Sequence, residues 1–221
     1  MKTVCRKEQI NQLKIIVLYI GLMNVIACQP PVTFTEPQPS KTKNIAAIPL
    51  RLQGNYLGVD DQSTLLISEK LIQQIYDFDE KIHQNQLDSN YKYINDTIVN
   101  SVTNEKMLFK RLGDTLLTHV HYIDTVFQMD NDNVVRKFKG HYFLNMRYES
   151  DSWEVKQLSL SKGQLSINRI SAEKDIENLQ AITESAQDSV PPYKFTATKK
   201  QFKQFVQSDG FSSEELFIRI Q

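Results

Sequence analysis

From Leu50 to Ile170, apolar and polar positions alternate in short runs broken by Asp, Asn, Gly and Lys. A period of two is the signature of half-buried strands, and small polar clusters between the runs mark turns. The spacing predicts strands over Leu50–Val59, Thr64–Ser68, Leu71–Phe78, Tyr91–Val99, Lys106–Leu112, Thr115–Gln128, Tyr142–Tyr148, Trp153–Leu160 and Gln164–Ile170. Leu71–Phe78 also fits a helical spacing. Turns are expected at Asp60–Ser63, Gly113-Asp114, Asp130–Asn133 and Lys162-Gly163, because Asn, Asp and Gly tolerate positive φ. Tyr142, Leu144, Met146 and Tyr148 alternate with His141, Asn145, Arg147 and Glu149, interrupted by Phe143, which predicts one buried and one solvated face.

The last fifty residues change period. Ser171 can cap a helix over Ala172–Ser185, where Ile176, Leu179 and Ile182 share a face, and Pro191-Pro192 closes that region. Thr198-Lys-Lys-Gln201 has the form of a capping box ahead of Phe202, Phe205 and Val206, with Gly210 as a stop. Leu216–Ile220 reads as a short last strand or edge segment. The fold class is therefore mainly β: an antiparallel meander of about nine strands, barrel or open sheet, with C-terminal α-helices. Gly54-Asn55-Tyr56 resembles the Gly-x-Trp of the first lipocalin strand, with Tyr in place of Trp. That resemblance implies a barrel, although the other lipocalin motifs are missing.

The N-terminus carries a different signal. MKTVCRKEQINQLK is basic, and Ile15–Ala27 is an apolar run broken only by Gly21 and Asn24. It is shorter than the roughly 20 apolar residues of a membrane-spanning helix, and a signal peptide fits its length better than an uncleaved anchor. Val25-Ile26-Ala27-Cys28 resembles the lipobox of bacterial lipoproteins. The resemblance implies cleavage before Cys28, lipid on its sulfur and amine, and a chain anchored in the cell envelope. Gln29 is not the aspartate of an inner-membrane retention signal, so the outer membrane, facing the periplasm, is the expected address. GDTLLTHVHYID, FKGHYFLN and WEVKQLSLSKG resemble uncharacterised lipoproteins of the Bacteroidota, a likeness that carries no activity with it.

Three segments follow: a signal peptide over 1–27, lipidated Cys28 with a Pro-rich tether over 28–49, and a single β-rich domain over 50–221. Five of the seven prolines lie in 29–49, a composition expected to stay extended and to lift the domain off the bilayer. Beyond residue 27 the chain holds 22 basic and 25 acidic residues, a net charge of −3. A phosphate-neutralising surface would be basic, so nucleic acid is not an expected partner. Cys5 and Cys28 are the only cysteines, which excludes a disulfide scaffold and a thiolate site in the mature domain.

Candidate chemistry is sparse. His119 and His121 face the same side of a strand, about 6–7 Å apart by the strand rise. They could hold zinc or copper if His141 or Asp124 supplied a third ligand. Without that third ligand they read as a solvated face, and no metal is assigned. Asp77 and Asp79 share a strand face and could form a general acid and base, but they sit in a charged run with Glu80 and Lys81. Asp130–Asn133 lacks the Gly and Glu that a calcium loop needs at its sixth and twelfth positions, so it reads as a turn. No serine-nucleophile or phosphate-loop motif occurs, and no cofactor is expected. Tyr142, Phe143, Tyr148 and Trp153 could line a cavity or simply pack a core. The expected function is non-enzymatic binding of a small apolar ligand or an envelope protein. The alternatives are a metal-assisted enzyme built on His119 and His121, or a structural assembly protein.

Overall fold

The computed structural model describes residues 29–87, 89–104, 106–184 and 190–220. The expected signal peptide and Cys28 lie outside the described residues. The protein is mainly β, its strands predominantly antiparallel, and it folds as two compact units. The first takes residues through Lys43, then Asn145–Gln157 and Asn168–Ser213; the second takes Asn44–Leu144, Leu158–Ile167 and Glu214 onward. In neither unit does a sheet close into a barrel, so the closed plan implied by the lipocalin likeness does not hold.

The first unit is built around β1 (Val32–Phe34). It pairs in parallel with β13 (Tyr193–Phe195) and antiparallel with the start of β11 (Ser152–Ser161), Phe34 opposite Trp153. This corrects the expectation of a tether over 28–49. Val32, Thr33 and Phe34 are buried, and Phe34 meets Phe202 edge-on at 5.9 Å. The prolines do not prevent pairing, because they flank the strand at 30, 31, 37 and 39, where no ladder N–H is required. The same segment covers one position of the polar face predicted for the strand at 142–148, Asn145, while Arg147 and Glu149 stay exposed. Gln38 is fully buried, its backbone N–H donates to Asn145 Oδ1, and Asn145 Nδ2 returns a bond to the Gln38 carbonyl at 3.0 Å. Asn145 thus imitates a strand neighbour with its amide.

Two helices complete this unit. α1 spans Glu173–Thr183 with Ala172 at its N-cap and no side-chain cap, so Ser171 does not take the capping role. Leu179 is buried, as is Asp175, whose carboxylate accepts from the Ser212 N–H and hydroxyl at 3.0 and 2.7 Å. α2 spans Lys199–Gln207 and has the capping box: Thr198 Oγ1 accepts from the Gln201 N–H, and the Gln201 side chain accepts from the Thr198 N–H. Phe202 and Phe205 are its buried residues, both packed on Phe211. The left-handed residue after α2 is Asp209 (φ 54°), not Gly210. Gly210 is needed for closeness: a Cβ there would stand 2.2 Å from the Phe205 ring.

The second unit holds the sheet that positions the candidate site. Its strands are β2 (Gly54–Gly58), β3 (Thr64–Ile67), β4 (Leu71–His83), β5 (Tyr91–Ile94), β6 (Thr97–Asn100), β7 (Lys106–Leu112), β8 (Thr115–Gln128) and β14 (Ser213–Ile220). Across the sheet they run β14-β2-β3-β4-β8-β7-β6-β5. The chain end is therefore a full strand beside β2 rather than an edge segment. Tyr56 of β2 is fully buried, donates to the Leu52 carbonyl at 2.8 Å, and lies beneath the Arg219 guanidinium at 5.0 Å. Gly54 opens β2 at φ 135°, a conformation only glycine adopts readily. The run predicted as one strand over 91–99 is two, β5 and β6, because Asn95 turns at φ 54°. β9 (Val134–Phe138), β10 (His141–Glu149) and β12 (Gln164–Arg169) bring the described strands to fourteen. Lys139-Gly140 and Lys162-Gly163, each pair at positive φ, close the β9–β10 and β11–β12 hairpins.

Candidate functional site

The longest elements among the described residues are β4 and β8, thirteen and fourteen residues paired from end to end except at one position. A register shift opposite Ile72 and Gln73 leaves Val126 unpaired. β3 flanks β4 only as far as Ile75, and β7 flanks β8 only over Thr115–Thr118. Between those limits, Tyr76–Asp79 and His119–Tyr122 form a two-stranded ribbon whose outer edges pair with no other strand among the described residues. Past it, Ile98, Phe109 and Leu116 make a small core with Leu87, Tyr91 and Met107. β5, β6 and β7 thus anchor the far end, and a ribbon that would be marginal alone is held at both ends.

The faces of the ribbon differ sharply. Register places Asp77 opposite His121 and Asp79 opposite His119 on one face. Asp77 lies between the two imidazoles, at 3.4 Å from His119 Nε2 and 3.2 Å from His121 Nδ1, and Asp79 stands 3.1 Å from His119 Nδ1. All four side chains are more than half exposed. Exposed pairs of this kind contribute at most about 1 kcal/mol each. The histidines do meet carboxylates, but not those expected. Asp124 pairs with Gln74 on the opposite face, since three residues along a strand reverse the side. His141 lies on β10, hydrogen-bonded to Ser159 Oγ at 2.7 Å, where burial lowers its pKa below the ordinary histidine value. Among the described residues, no group of three or more His, Cys, Asp or Glu side chains is arranged to hold a metal ion.

The opposite face is aromatic. Tyr76 stacks on Tyr122 at 6.0 Å, and Phe78 lies across from Val120. Phe78 is 45% exposed and Tyr122 57%, unusual values for large apolar side chains set side by side. Tyr76 is half-buried; burial and the nearby Asp61, Glu215 and Asp124 carboxylates push its hydroxyl above the ordinary tyrosine value. Asp61 is itself fixed by Ser63 and by Gln74 Nε2 at 3.1 Å. This aromatic face escaped sequence reasoning because no strand partner for β4 could be assigned. The signal was present in Tyr-x-Phe on one run and Val-x-Tyr on the other.

The remaining candidates resolve simply. Asp130 Oδ1 accepts from the N–H groups of Asp132 and Asn133 at 2.8 and 2.7 Å, an Asx turn between β8 and β9. Those backbone bonds hold its carboxyl below the usual range. Tyr142 and Phe143 are buried, and Arg147 sits over the Trp153 ring at 4.4 Å. No protein-family model, curated protein or solved structure matches the chain. No helix among the described residues is long and apolar enough to cross a membrane.

Proposed function

We propose that this is a lipid-anchored protein of the bacterial envelope, held through Cys28, that binds an extended segment of an envelope protein along the β4–β8 ribbon and catalyses no reaction. The lipobox-like Val25-Ile26-Ala27-Cys28 supports the anchor. The observation that carries the binding role is the bare ribbon, with open backbone edges beside the exposed Phe78 and Tyr122. Open edges let a partner add a strand through main-chain hydrogen bonds, and aromatic side chains supply anchors with little entropy to lose. The His–Asp face remains hydrated and charged, which disfavours docking from that side.

The test is purification of the full-length protein from its own membranes in mild detergent. The expected result is an acylated N-terminal peptide beginning at Cys28 and one stoichiometric protein partner. Tyr122→Asp should weaken that complex roughly 30-fold, about 2 kcal/mol. His121→Asn, on the other face, should leave it intact. Equal retention by both variants would remove the aromatic face from the account, and an unmodified Cys28 would remove the anchor.

A further inference from the structure

We infer that the lysine-bearing side of β5, β6 and β7 binds the surface of an anionic phospholipid bilayer, a contact separate from the aromatic side of the ribbon and independent of any lipid on Cys28. Register sorts the side chains of these strands onto two sides. Met107 and Tyr93 both stand opposite Ile98, and Phe109 stands opposite Thr118, on the side that holds the small core. The aromatic residues belong there: Tyr93 meets Phe109 edge-on at 5.9 Å, and Arg111 lies over the Tyr93 ring at 5.9 Å. The other side carries Lys106, Leu108, Lys110 and Leu112 along β7, and the β6 register sets Lys92 and Ile94 of β5 on that same side. Leu108 is 75% exposed, Ile94 57% and Leu112 49%. Lys81 of β4 joins them, since it faces Leu117, which in turn faces Lys110.

The charge on this side has one sign. β5, β6 and β7 contain no Asp or Glu, and Asp96 and Asp114 lie in the turns between strands. No ion pair engages Lys81, Lys92, Lys106 or Lys110 among the described residues. Aliphatic side chains set between lysines suit a membrane interface. The apolar groups enter the boundary between headgroups and acyl chains, while the lysine stems lie along them and raise their ammonium groups to the phosphates. A protein partner calls for the opposite composition, because interface cores are depleted in lysine and enriched in aromatic residues. Beyond residue 27 the chain has a net charge of −3, so an anionic bilayer repels its surface as a whole and attracts this side.

The test places a fluorescent noncanonical side chain at Leu108 in the full-length protein. The protein is reconstituted into phosphatidylglycerol–phosphatidylcholine vesicles containing lipid with a nitroxide near the top of its acyl chain. Whatever holds the N-terminus in the vesicle is common to every sample, so differences in quenching report this side alone. Quenching at Leu108 should be strong. Each lysine near an anionic leaflet strengthens binding about fivefold, so losing two weakens the contact roughly 25-fold. Quenching should therefore fall at least threefold when Lys106→Glu and Lys110→Glu are combined, when phosphatidylcholine replaces phosphatidylglycerol, and at high salt. The lipid and salt comparisons keep the chain unchanged, so a misfolded variant cannot imitate them. The same probe at Arg111, on the other side of β7, should be barely quenched. Weak quenching at Leu108, quenching indifferent to lipid charge and salt, or equal quenching at Arg111 overturns the inference.

Discussion

Replacing Phe34 with alanine removes a fully buried ring from the centre of the first unit, where it pairs edge-on with Phe202. The position falls in a segment whose prolines suggest a solvated linker, so the substitution separates two descriptions of the chain. In a linker the change would be nearly neutral. In a close-packed core the loss combines transfer of the ring to water with the cavity left behind, about 3–5 kcal/mol for Phe→Ala. The edge-on contact with Phe202 raises the expected loss above the lower bound, to about 4 kcal/mol, because such pairs add roughly 0.5–1.5 kcal/mol. For a chain of this size 1 kcal/mol shifts Tm by about 2–4 °C, so the expected fall is roughly 8–16 °C. Calorimetry on the chain from Gln29 onward reads this directly, because a separate transition of the second unit would stay in place. A shift below about 2 °C in every transition, corresponding to less than 1 kcal/mol, would refute the packing of residues 32–34.

Three further outcomes follow from the same geometry. Asn145→Ala leaves the buried Gln38 N–H and carbonyl without their partner and should cost about 2–3 kcal/mol in urea unfolding; a loss below about 0.5 kcal/mol would mean that this segment does not dock there. Gly210→Ala drives a methyl into the Phe205 ring and should cost about 1–3 kcal/mol, although the position has an ordinary φ; a neutral result would mean that α2 shifts freely. Burial depresses the folded pKa of His141, so its contribution to stability is present above the unfolded value near 6.5 and is lost as pH falls through the folded value. His141→Gln should flatten the fall in stability as pH drops below the ordinary histidine value near 6.5, and a ring titration at or above that value would contradict it.

Much of the fold was legible because local chemistry and tertiary structure agree. β8 runs over the residues that alternation picks out, and the Thr198–Gln201 capping box forms as its spacing requires. Asp130 makes the turn that its side chain favours. The local misses are small, a helix N-cap at Ala172 in place of Ser171 and a turn at Asn95; the larger ones share one physical cause, which is long-range pairing. β1 has only three residues and no alternation to read, and its ladder depends on β13, more than 150 residues away. Asn145 looked solvated because nothing local announces that Gln38 will cover it. The partners of His119 and His121 were missed because β5, β6 and β7 form an excursion that returns the chain to β4, so Asp77 and Asp79 arrive from 40 residues or more away. Strand register, not residue spacing, decides which carboxylate meets which imidazole.

The most direct test of the central claim is in-cell photocrosslinking from single positions on the ribbon. A benzophenone side chain replacing Phe78 or Tyr122 should give one discrete adduct with an envelope protein, while the same group at Asp79 or His121 on the opposite face should give none. Adducts from both faces alike, or from neither, would contradict a partner seated on the aromatic side of β4 and β8.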